Sequence, residues 1–186
     1  MSLQRCVIPT YGILEPSDIL RAEHLFEIEY FKSGDVLLEP QEISQKLYFI
    51  YKGLVTCVTA NNDILWFESE KHIFTDPVSF LRREPSENYL RVLDSDTVLV
   101  SITFDKFNKL VTQFHQWALW ANRMTQDLYV RLFLYYKKLR IKDANKRYQT
   151  LIDYVPNLLQ RVSLKDIASC IGISPVSLSR IRGAYR

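Results

Sequence analysis

Serine and arginine side chains near the end of the chain are spaced to share the outward face of one short helix. They are Ser177, Ser179, Arg180 and Arg182. Guanidinium and hydroxyl groups placed in this way donate hydrogen bonds to phosphate oxygens and to the edges of bases. The chemistry that this face indicates is recognition of a polyanion, and the elements around it decide which one.

The surrounding sequence predicts two short helices joined by a tight turn. Ser163 is placed to cap the first, with Asp166 three residues later to complement the positive helix end. Gly172 ends it, because the turn needs a residue that tolerates a positive φ. Ser174-Pro175 starts the second, with serine at the N-cap and proline at the first helical position. The apolar residues expected to face inward are Ile167, Ala168, Ile171, Leu178 and Ile181. This pattern is typical of a DNA-binding helix-turn-helix; the alternative is an ordinary helical hairpin with a solvated basic face.

Charge is distributed unevenly along the 186 residues, whose net charge is +3. Residues 137–186 contain 11 Lys and Arg and three Asp, a net charge of +8, whereas residues 1–136 contain 13 Lys and Arg and 18 Asp and Glu, a net charge of −5. An acidic body with a basic C-terminal segment favours contact between that segment and a polyanion.

Composition argues against several other classes of protein. Cys6, Cys57 and Cys170 lack metal-ligand spacing and are interpreted as buried or free thiols in a reducing compartment, with a disulfide between two of them as the alternative. No membrane-spanning run and no signal peptide is found, which predicts a cytoplasmic protein without a membrane partner. We find no nucleophile–base set, metal cluster or glycine-rich phosphate loop, so no catalytic residue, metal or cofactor is expected and an enzyme is the weakest hypothesis.

The first half of the chain has the pattern of an antiparallel β-roll. After a short helix within residues 11–25, period-two segments alternate with turn signals such as Ser33-Gly34 and Lys52-Gly53. The predicted strands are Glu27–Phe31, Asp35–Glu39, Lys46–Tyr51, Leu54–Ala60, Ile64–Glu70, Asn88–Leu93 and Thr97–Phe104. Short strands at this spacing indicate a jelly-roll-like sandwich or roll rather than a parallel sheet. A helical turn from Val78 to Leu81 interrupts them and is a natural place for a small-molecule site.

A long helical region follows. Asp105 is predicted to cap a first piece, Lys106–Gln113, and a second piece runs from His115 to Arg140. The second helix is apolar on several sides, so it must be covered on more than one face, by its own roll and by the same helix of a partner subunit. The predicted dimer contacts are Trp117, Ala121, Met124, Leu128 and Tyr135, alternating four and three residues apart except across Arg131. The alternative is a core helix within a monomer.

These elements predict an α+β chain in three parts. The parts are a β-roll sensor domain at residues 1–104, connecting and dimerisation helices at 105–142, and a helix-turn-helix domain at 143–186. Lys142-Asp143 forms a hinge, and Asp143 caps a helix, Ala144–Tyr154, that Pro156 ends.

This order of parts resembles the Crp/Fnr superfamily of bacterial transcription regulators over nearly the whole chain. In the roll, the resemblance rests on the turn glycines Gly34 in FKSGDVLLE and Gly53 in LYFIYKGLVTCV. The segment RYQTLIDYVPNLLQRVSLKDIASCIGISPVSLSRIR is similar to a compact, Bacteroidetes-type branch whose chains end soon after SRIR and lack β-wing elements. The resemblance implies a homodimer on near-palindromic operators, with the second helix of each motif in a major groove and RNA polymerase as a candidate partner.

The resemblance also implies roles on DNA. Base-edge contacts fall on Pro175, Val176, Ser179 and Arg180. Phosphate contacts fall on Ser163, Lys165, Ser177, Arg182 and Arg186. Val176 stands where the best-known members have a glutamate that reads cytosine; valine can only touch a thymine methyl, so the operator should differ.

The nucleotide site departs from the family pattern. Cyclic-nucleotide binders have a Gly-Glu-Leu turn and an Arg-Ser/Thr pair that holds the phosphate, where this chain has Thr75-Asp76-Pro77 and Ser86-Glu87. The implied effector-pocket residues are Asp76, Ser86, Glu87 and Arg91. The phosphate-binding arginine is absent, and Glu87 would place a second negative charge beside an anionic phosphate. The effector is therefore unknown and is not expected to be a cyclic nucleotide, a haem or an iron–sulfur cluster.

The residue pattern and the resemblance together favour two functions. The leading hypothesis is a sequence-specific DNA-binding regulator that acts as a homodimer. The alternative is a small-molecule-binding sensor with a degenerate DNA-binding domain, because the wing elements and the base-reading glutamate are missing.

Overall fold

The computed structural model describes residues 11–155 and 157–183. Its strands are β1 (Glu27–Phe31), β2 (Val36–Leu38), β3 (Lys46–Lys52), β4 (Val55–Thr59), β5 (Ile64–Glu68), β6 (Ile73–Phe74), β7 (Asn88–Val92) and β8 (Thr97–Thr103). They form two four-stranded sheets, in the orders β1-β8-β3-β6 and β2-β7-β4-β5, and each strand pair is antiparallel. These two sheets, hereafter the roll, confirm the predicted β-roll. The short strand β6 was not predicted.

The helices are α1 (Pro16–Ala22), α2 (Pro77–Arg82), α3 (Phe104–Gln113), α4 (His115–Leu139), α5 (Ala144–Tyr154), α6 (Leu158–Arg161), α7 (Leu164–Cys170) and α8 (Pro175–Gly183). We call α5–α8 the C-terminal helices. The predicted α+β class is confirmed, with one long helix and a small C-terminal helical part. Asp143 caps α5 as predicted, since its carboxylate accepts the Asn145 N–H at 2.8 Å. The prediction that Asp105 caps α3 is wrong, because Thr103 Oγ1 accepts the Lys106 N–H at 3.4 Å and the helix begins at Phe104. Pro156 lies outside the described residues.

Side-chain alternation along the strands places apolar residues on both faces of the first sheet, β1-β8-β3-β6. In β3, Tyr48 and Ile50 point between the two sheets, whereas Leu47 and Phe49 point to the outer face of the first sheet. This follows from the two-residue period of a strand and explains why β3 is apolar almost throughout. The outer face of the first sheet is therefore free to pack against helices.

The long helix α4 covers that outer face of the first sheet with the residues that we predicted to meet a partner chain. Trp117 is only 1% exposed, packs beside Trp120 and Phe26, and donates its indole N–H to the Asp18 carbonyl at 3.2 Å. Met124 is buried in the same core, and Ala121 and Leu128 pack against it. Tyr135 donates its hydroxyl to the Leu65 carbonyl. The predicted dimer seam does not fit this structure, because the chain's own sheets and helices already cover it.

Gly53 occupies a backbone conformation that a larger residue would strain. Its φ is +119°, and a Cβ atom there would lie 2.8 Å from the Thr97 Cβ at the start of β8. We expect Gly53→Ala to lower the free energy of unfolding by about 1–3 kcal/mol, which denaturant titration will measure. Gly34→Ala is the matched control, since Gly34 also has a positive φ (+94°) but open space around it. Equal losses in both variants would show that the contact with Thr97 contributes nothing.

The thiols of Cys57 and Cys170 are free and buried, as predicted from their spacing. Burial raises the pKa of each to about 12, so neither is a reactive thiolate at neutral pH. Cys6 lies outside the described residues. Within the described ranges, no helix combines the length and apolarity that crossing a bilayer requires.

Candidate nucleic-acid interface

The helices α7 and α8 form the predicted helix-turn-helix through local capping. Ser163 accepts the Asp166 N–H at 3.1 Å and donates its hydroxyl to the Asp166 carboxylate at 2.7 Å. Ser174 accepts the Ser177 N–H at 3.1 Å, and Pro175 is the first residue of α8. Gly172 joins the helices with a φ of +67°. These contacts provide acceptors for backbone N–H groups that have no partner in the first turn of a helix. The starts of α7 and α8 are therefore determined by residues within three positions of each start.

Burial separates the inner side of this motif from its outer side. Leu178, Ile167 and Ala168 are fully buried and hold α8 against α7. The outer side of α8 carries the predicted base-reading residues Val176, which is 63% exposed, and Ser179 and Arg180, which are also exposed. The surface of α8 is therefore open to a partner.

Two predicted contact residues need qualification and one cannot be placed. Ser177 is exposed, but its hydroxyl lies 2.9 Å from the Ser174 hydroxyl and belongs to the helix cap. Arg182 is half-buried. Ser163 and Lys165 are exposed at the start of α7, as phosphate contacts must be. Arg186 lies outside the described residues.

Arg147 is a structural residue that the sequence did not reveal. Its guanidinium donates to the Ile171 carbonyl at 2.9 Å, at the end of α7, and to the Ile141 carbonyl at 2.6 Å, in the hinge. It donates more weakly to Lys142, at 3.1 Å. One side chain on α5 thus fastens the turn of the motif to the end of α4. No local pattern signals this, because the acceptors are backbone carbonyls, which any residue type provides, and one of them is 24 residues away.

The four predicted effector-pocket residues do not converge. Asp76 and Ser86 do meet, deep in the roll, but the Ser86 hydroxyl donates to the Asp76 carboxylate at 2.6 Å. The other carboxylate oxygen accepts the Ser79 N–H at 3.0 Å and caps α2. Glu87 is exposed. The structure brings together only Asp76 and Ser86 of the four, with both oxygens of Asp76 already hydrogen-bonded, and the effector pocket stays a prediction.

Arg91 lies on the opposite face of its sheet from Asp76. Its strand neighbours Leu90 and Val92 point between the sheets, so Arg91 points outward, with its guanidinium 4.3 Å above the Tyr89 ring. It lines a separate cavity of about 220 Å³ between β4, β5, β7 and the start of α7. The cavity is lined by Thr56, Val58, Asn62, Ile64, Phe67, Arg91, Leu93 and Asp166. Arg91 forms no ion pair with any other described residue.

A second stripe of α4, which we call the outer stripe, faces solvent. It consists of Leu119, Asn122, Gln126, Tyr129, Phe133 and Tyr136, alternating three and four residues apart. Tyr129, Phe133 and Tyr136, with Leu132, also line an apolar groove of about 320 Å³. Tyr129 is 70% exposed and Phe133 is 53% exposed. An exposed apolar stripe with heptad spacing is the surface that a parallel partner helix would cover.

No group of three or more His, Cys, Asp or Glu side chains in the described part of the chain is arranged to hold a metal ion.

No protein-family profile and no curated protein matches the sequence, but solved structures match closely in shape. The c-di-GMP-responsive global regulator CLP of Xanthomonas campestris superposes with a TM-score of 0.68 at 16% identity, over 92% of this chain and 91% of that one. FixK2 of Bradyrhizobium japonicum gives 0.69 at 16% identity, over 86% and 83% of the two chains. A protein from Eubacterium rectale assigned to the crp/fnr family of transcriptional regulators gives 0.70 at 12% identity, over 95% and 86%.

The chain has the Crp/Fnr fold. The matches over 92% and 95% of the chain extend into the C-terminal helices as well as the roll. The resemblance that the turn glycines and the SRIR segment indicated is thereby confirmed at the level of the fold. Among the described residues, the outer face of α8 and the outer stripe of α4 are both exposed.

Proposed function

We propose that this chain is a sequence-specific DNA-binding transcription regulator that acts as a homodimer on near-palindromic sites. The observation that carries the proposal is the open outer face of α8, where Val176, Ser179 and Arg180 project from a capped and buried helix-turn-helix. A bidentate arginine–guanine pair and a valine–thymine methyl contact are the readouts available to this face. The Crp/Fnr fold supports the same assignment.

The outer stripe of α4 supplies the dimer contact in this proposal. It replaces the buried seam of Trp117 and Met124 as the surface that meets the partner. Two copies joined along α4 present two α8 helices, and binding to successive major grooves requires these to lie about 34 Å apart. The near-palindromic operator follows from the two-fold symmetry of such a dimer.

Selection of bound duplexes from a random library with the purified protein tests the proposal directly. We expect enrichment of a near-palindrome, and fluorescence titration of that duplex should show affinity falling steeply between 50 and 200 mM salt, as phosphate neutralisation requires. A selection that returns no enriched sequence, together with salt-independent or absent binding, would contradict the function.

The effector in this proposal is not a cyclic nucleotide. Asp76 and Ser86 are bonded to each other where the family holds the nucleotide, and no arginine of the described part of the chain bonds to either side chain. We expect cyclic AMP and cyclic GMP at about 1 mM to leave the melting temperature unchanged within error, because a ligand stabilises a protein only when it binds the folded state. A saturable rise of several degrees with either nucleotide would disprove this expectation.

A small-molecule sensor without DNA binding is the second candidate, and the cavity beside Arg91 favours it. Arg91 has no ion-pair partner among the described residues and shares this cavity with apolar side chains and with Thr56, Asn62 and Asp166. The guanidinium suits a compact organic anion whose negative group lies on the Arg91 side, away from the Asp166 carboxylate. A thermal-shift series with small aromatic and branched-chain carboxylates, alongside the DNA selection, separates the two functions. A carboxylate that stabilises the protein, combined with a selection that enriches nothing, would support this candidate.

A further inference from the structure

The C-terminal helices are docked on the roll rather than held only by the hinge. Leu54 and Phe67 of the roll are fully buried against Leu151, Val155 and Leu158 of the C-terminal helices. Apolar contact alone leaves helices free to slide, because the hydrophobic effect has no direction. Polar contacts at the edges of this patch restrict that freedom.

One of these contacts centres on Arg161, at the end of α6. Its guanidinium donates to Asp94 at 3.0 Å and to both carboxylate oxygens of Glu70, at 3.0 and 3.2 Å. The Gly53 N–H also donates to Glu70, at 2.9 Å. Burial alone would raise the pKa of the Glu70 carboxyl, but Arg161 and the Gly53 N–H outweigh it and lower the pKa, so this carboxylate is charged at neutral pH. An arginine fork on two carboxylates fixes an angle as well as a distance.

A second polar contact centres on Glu68, at the end of β5. The Tyr154 hydroxyl donates to its two oxygens at 3.0 and 3.2 Å, and His72 Nδ1 lies 2.6 Å from it. The Tyr154 and His72 rings are stacked, 5.5 Å apart. Arg131 of α4 approaches the same carboxylate at 3.8 Å. Glu68 therefore ties the roll to α4 and to the C-terminal helices at one point.

A third polar contact links a strand amide to the helix-turn-helix itself. The Ile64 N–H donates to Ser169 Oγ of α7 at 3.0 Å. Near it, the Tyr135 hydroxyl of α4 donates to the Leu65 carbonyl and contacts the Cys170 side chain. This part of β5 is thus bonded at once to the long helix and to α7.

We propose that these three contacts, which we call the joint, position α8 relative to α4 and so determine which spacer length the protein accepts between the two half-sites of its operator. The joint comprises Arg161 with Glu70 and Asp94, Glu68 with Tyr154, His72 and Arg131, and Ser169 with Ile64. This inference rests on the proposed dimeric DNA binding and adds a positioning role for residues that touch no DNA.

The geometry of DNA explains why a rigid joint selects spacing. Adding one base pair moves one half-site by about 3.4 Å and rotates it by roughly a tenth of a turn. A dimer whose two α8 helices are fixed to α4 can match only one such arrangement, whereas loosely tethered helices can follow several. Positioning of this kind is a coupling between sites, with typical effects of about 5- to 150-fold on affinity.

The test uses the full-length protein, the selected palindrome, and derivatives whose central spacer is lengthened or shortened by one and two base pairs. We expect the parent to prefer one spacer by about tenfold or more, and Arg161→Met to reduce that preference below about threefold. Hydrogen exchange at the Ile64 amide provides a readout without DNA, and should become about tenfold faster in the variant because this amide donates to Ser169 on α7.

Lys106→Met is the matched control, since it also removes one cation from an ion pair, with Glu27 at 2.7 Å, but far from the joint. It should change neither spacing preference nor Ile64 exchange. Tyr154→Phe keeps the stacked ring and removes the hydroxyl that bonds to Glu68. It should shift both readouts in the same direction as Arg161→Met, and it replaces that variant if Arg161→Met does not fold.

The outcomes distinguish failure of the joint from failure of the proposed DNA-binding function. Unchanged Ile64 exchange in both joint variants, or faster exchange with an unaltered spacing preference, would overturn the joint while leaving DNA binding intact. A parent that binds no duplex at any spacing overturns the proposed function and the spacing role together, and Ile64 exchange still reports whether Arg161 holds the helices on the roll.

Discussion

Arg180→Ala is expected to weaken binding of the selected duplex by about 30-fold or more. Each bidentate arginine–guanine pair contributes about 1–3 kcal/mol of discrimination, and a symmetric dimer loses the pair twice. Arg180 is exposed on α8, so its removal should leave the fold and the melting temperature unchanged. Fluorescence anisotropy with the selected duplex and with single-base variants of each half-site measures the loss and shows which base pair stops being discriminated.

Two other arginines make the Arg180 result interpretable. Arg182→Ala should weaken all duplexes about equally and reduce the salt dependence, as loss of a phosphate contact does. Arg82→Ala, on the exposed side of α2, should change nothing. If Arg180→Ala instead weakens every sequence to the same extent, Arg180 contacts the backbone and the assignment of base readout on α8 is wrong.

Phe133→Asp is expected to convert the dimer to monomers and, with that, to abolish tight binding to the palindrome. Phe133 is 53% exposed in the single chain, so the substitution should not unfold the roll. In the dimer, the new carboxylate would be buried without a partner, which costs about 3–5 kcal/mol and weakens association roughly 100-fold or more. Sedimentation equilibrium at micromolar concentrations gives the mass directly, and circular dichroism confirms the fold.

Leu81→Asp is the control for the dimer prediction. Leu81 is 66% exposed on α2, so it tests the same chemical change on a different surface. It should remain dimeric and bind DNA like the parent. A Phe133→Asp protein that still sediments as a dimer would exclude the outer stripe as the subunit contact, and would direct attention to another surface of the roll.

The sequence predicted α4 and its apolar character, but not which side faces the roll. Both Trp117-Ala121-Met124 and Tyr129-Phe133-Tyr136 belong to stripes that alternate three and four residues apart, and spacing alone cannot rank two such stripes. The structure distinguishes them because Trp117 reaches the Asp18 carbonyl and the Phe26 ring, which are contacts with α1 and the segment after it. That information is not local to the helix.

Capping motifs were predictable because their partners lie within three residues. Ser163, Ser174 and Asp143 all cap the helices that their positions indicated. Contacts between distant residues were not predictable: Arg161 pairs with Asp94 and Glu70 across 67 and 91 residues, and Asp76 bonds to Ser86 instead of a ligand. The strand β6 was missed because two residues, Ile73 and Phe74, carry no periodicity and are defined only by pairing with β3.

The length of α4 gives the chain a mechanical property. The helix has 25 residues and is therefore about 37 Å long. Trp117 and Trp120 anchor its first turns, and Arg131 and Tyr135 join its later turns to β5. If α4 tilts by roughly 5° at its first turns, its C-terminal end moves by about 3 Å, which is close to the rise of one base pair. In the proposed dimer, a shift of this size in the packing of Trp117 and Trp120 would displace the two α8 helices from the major grooves that they bind.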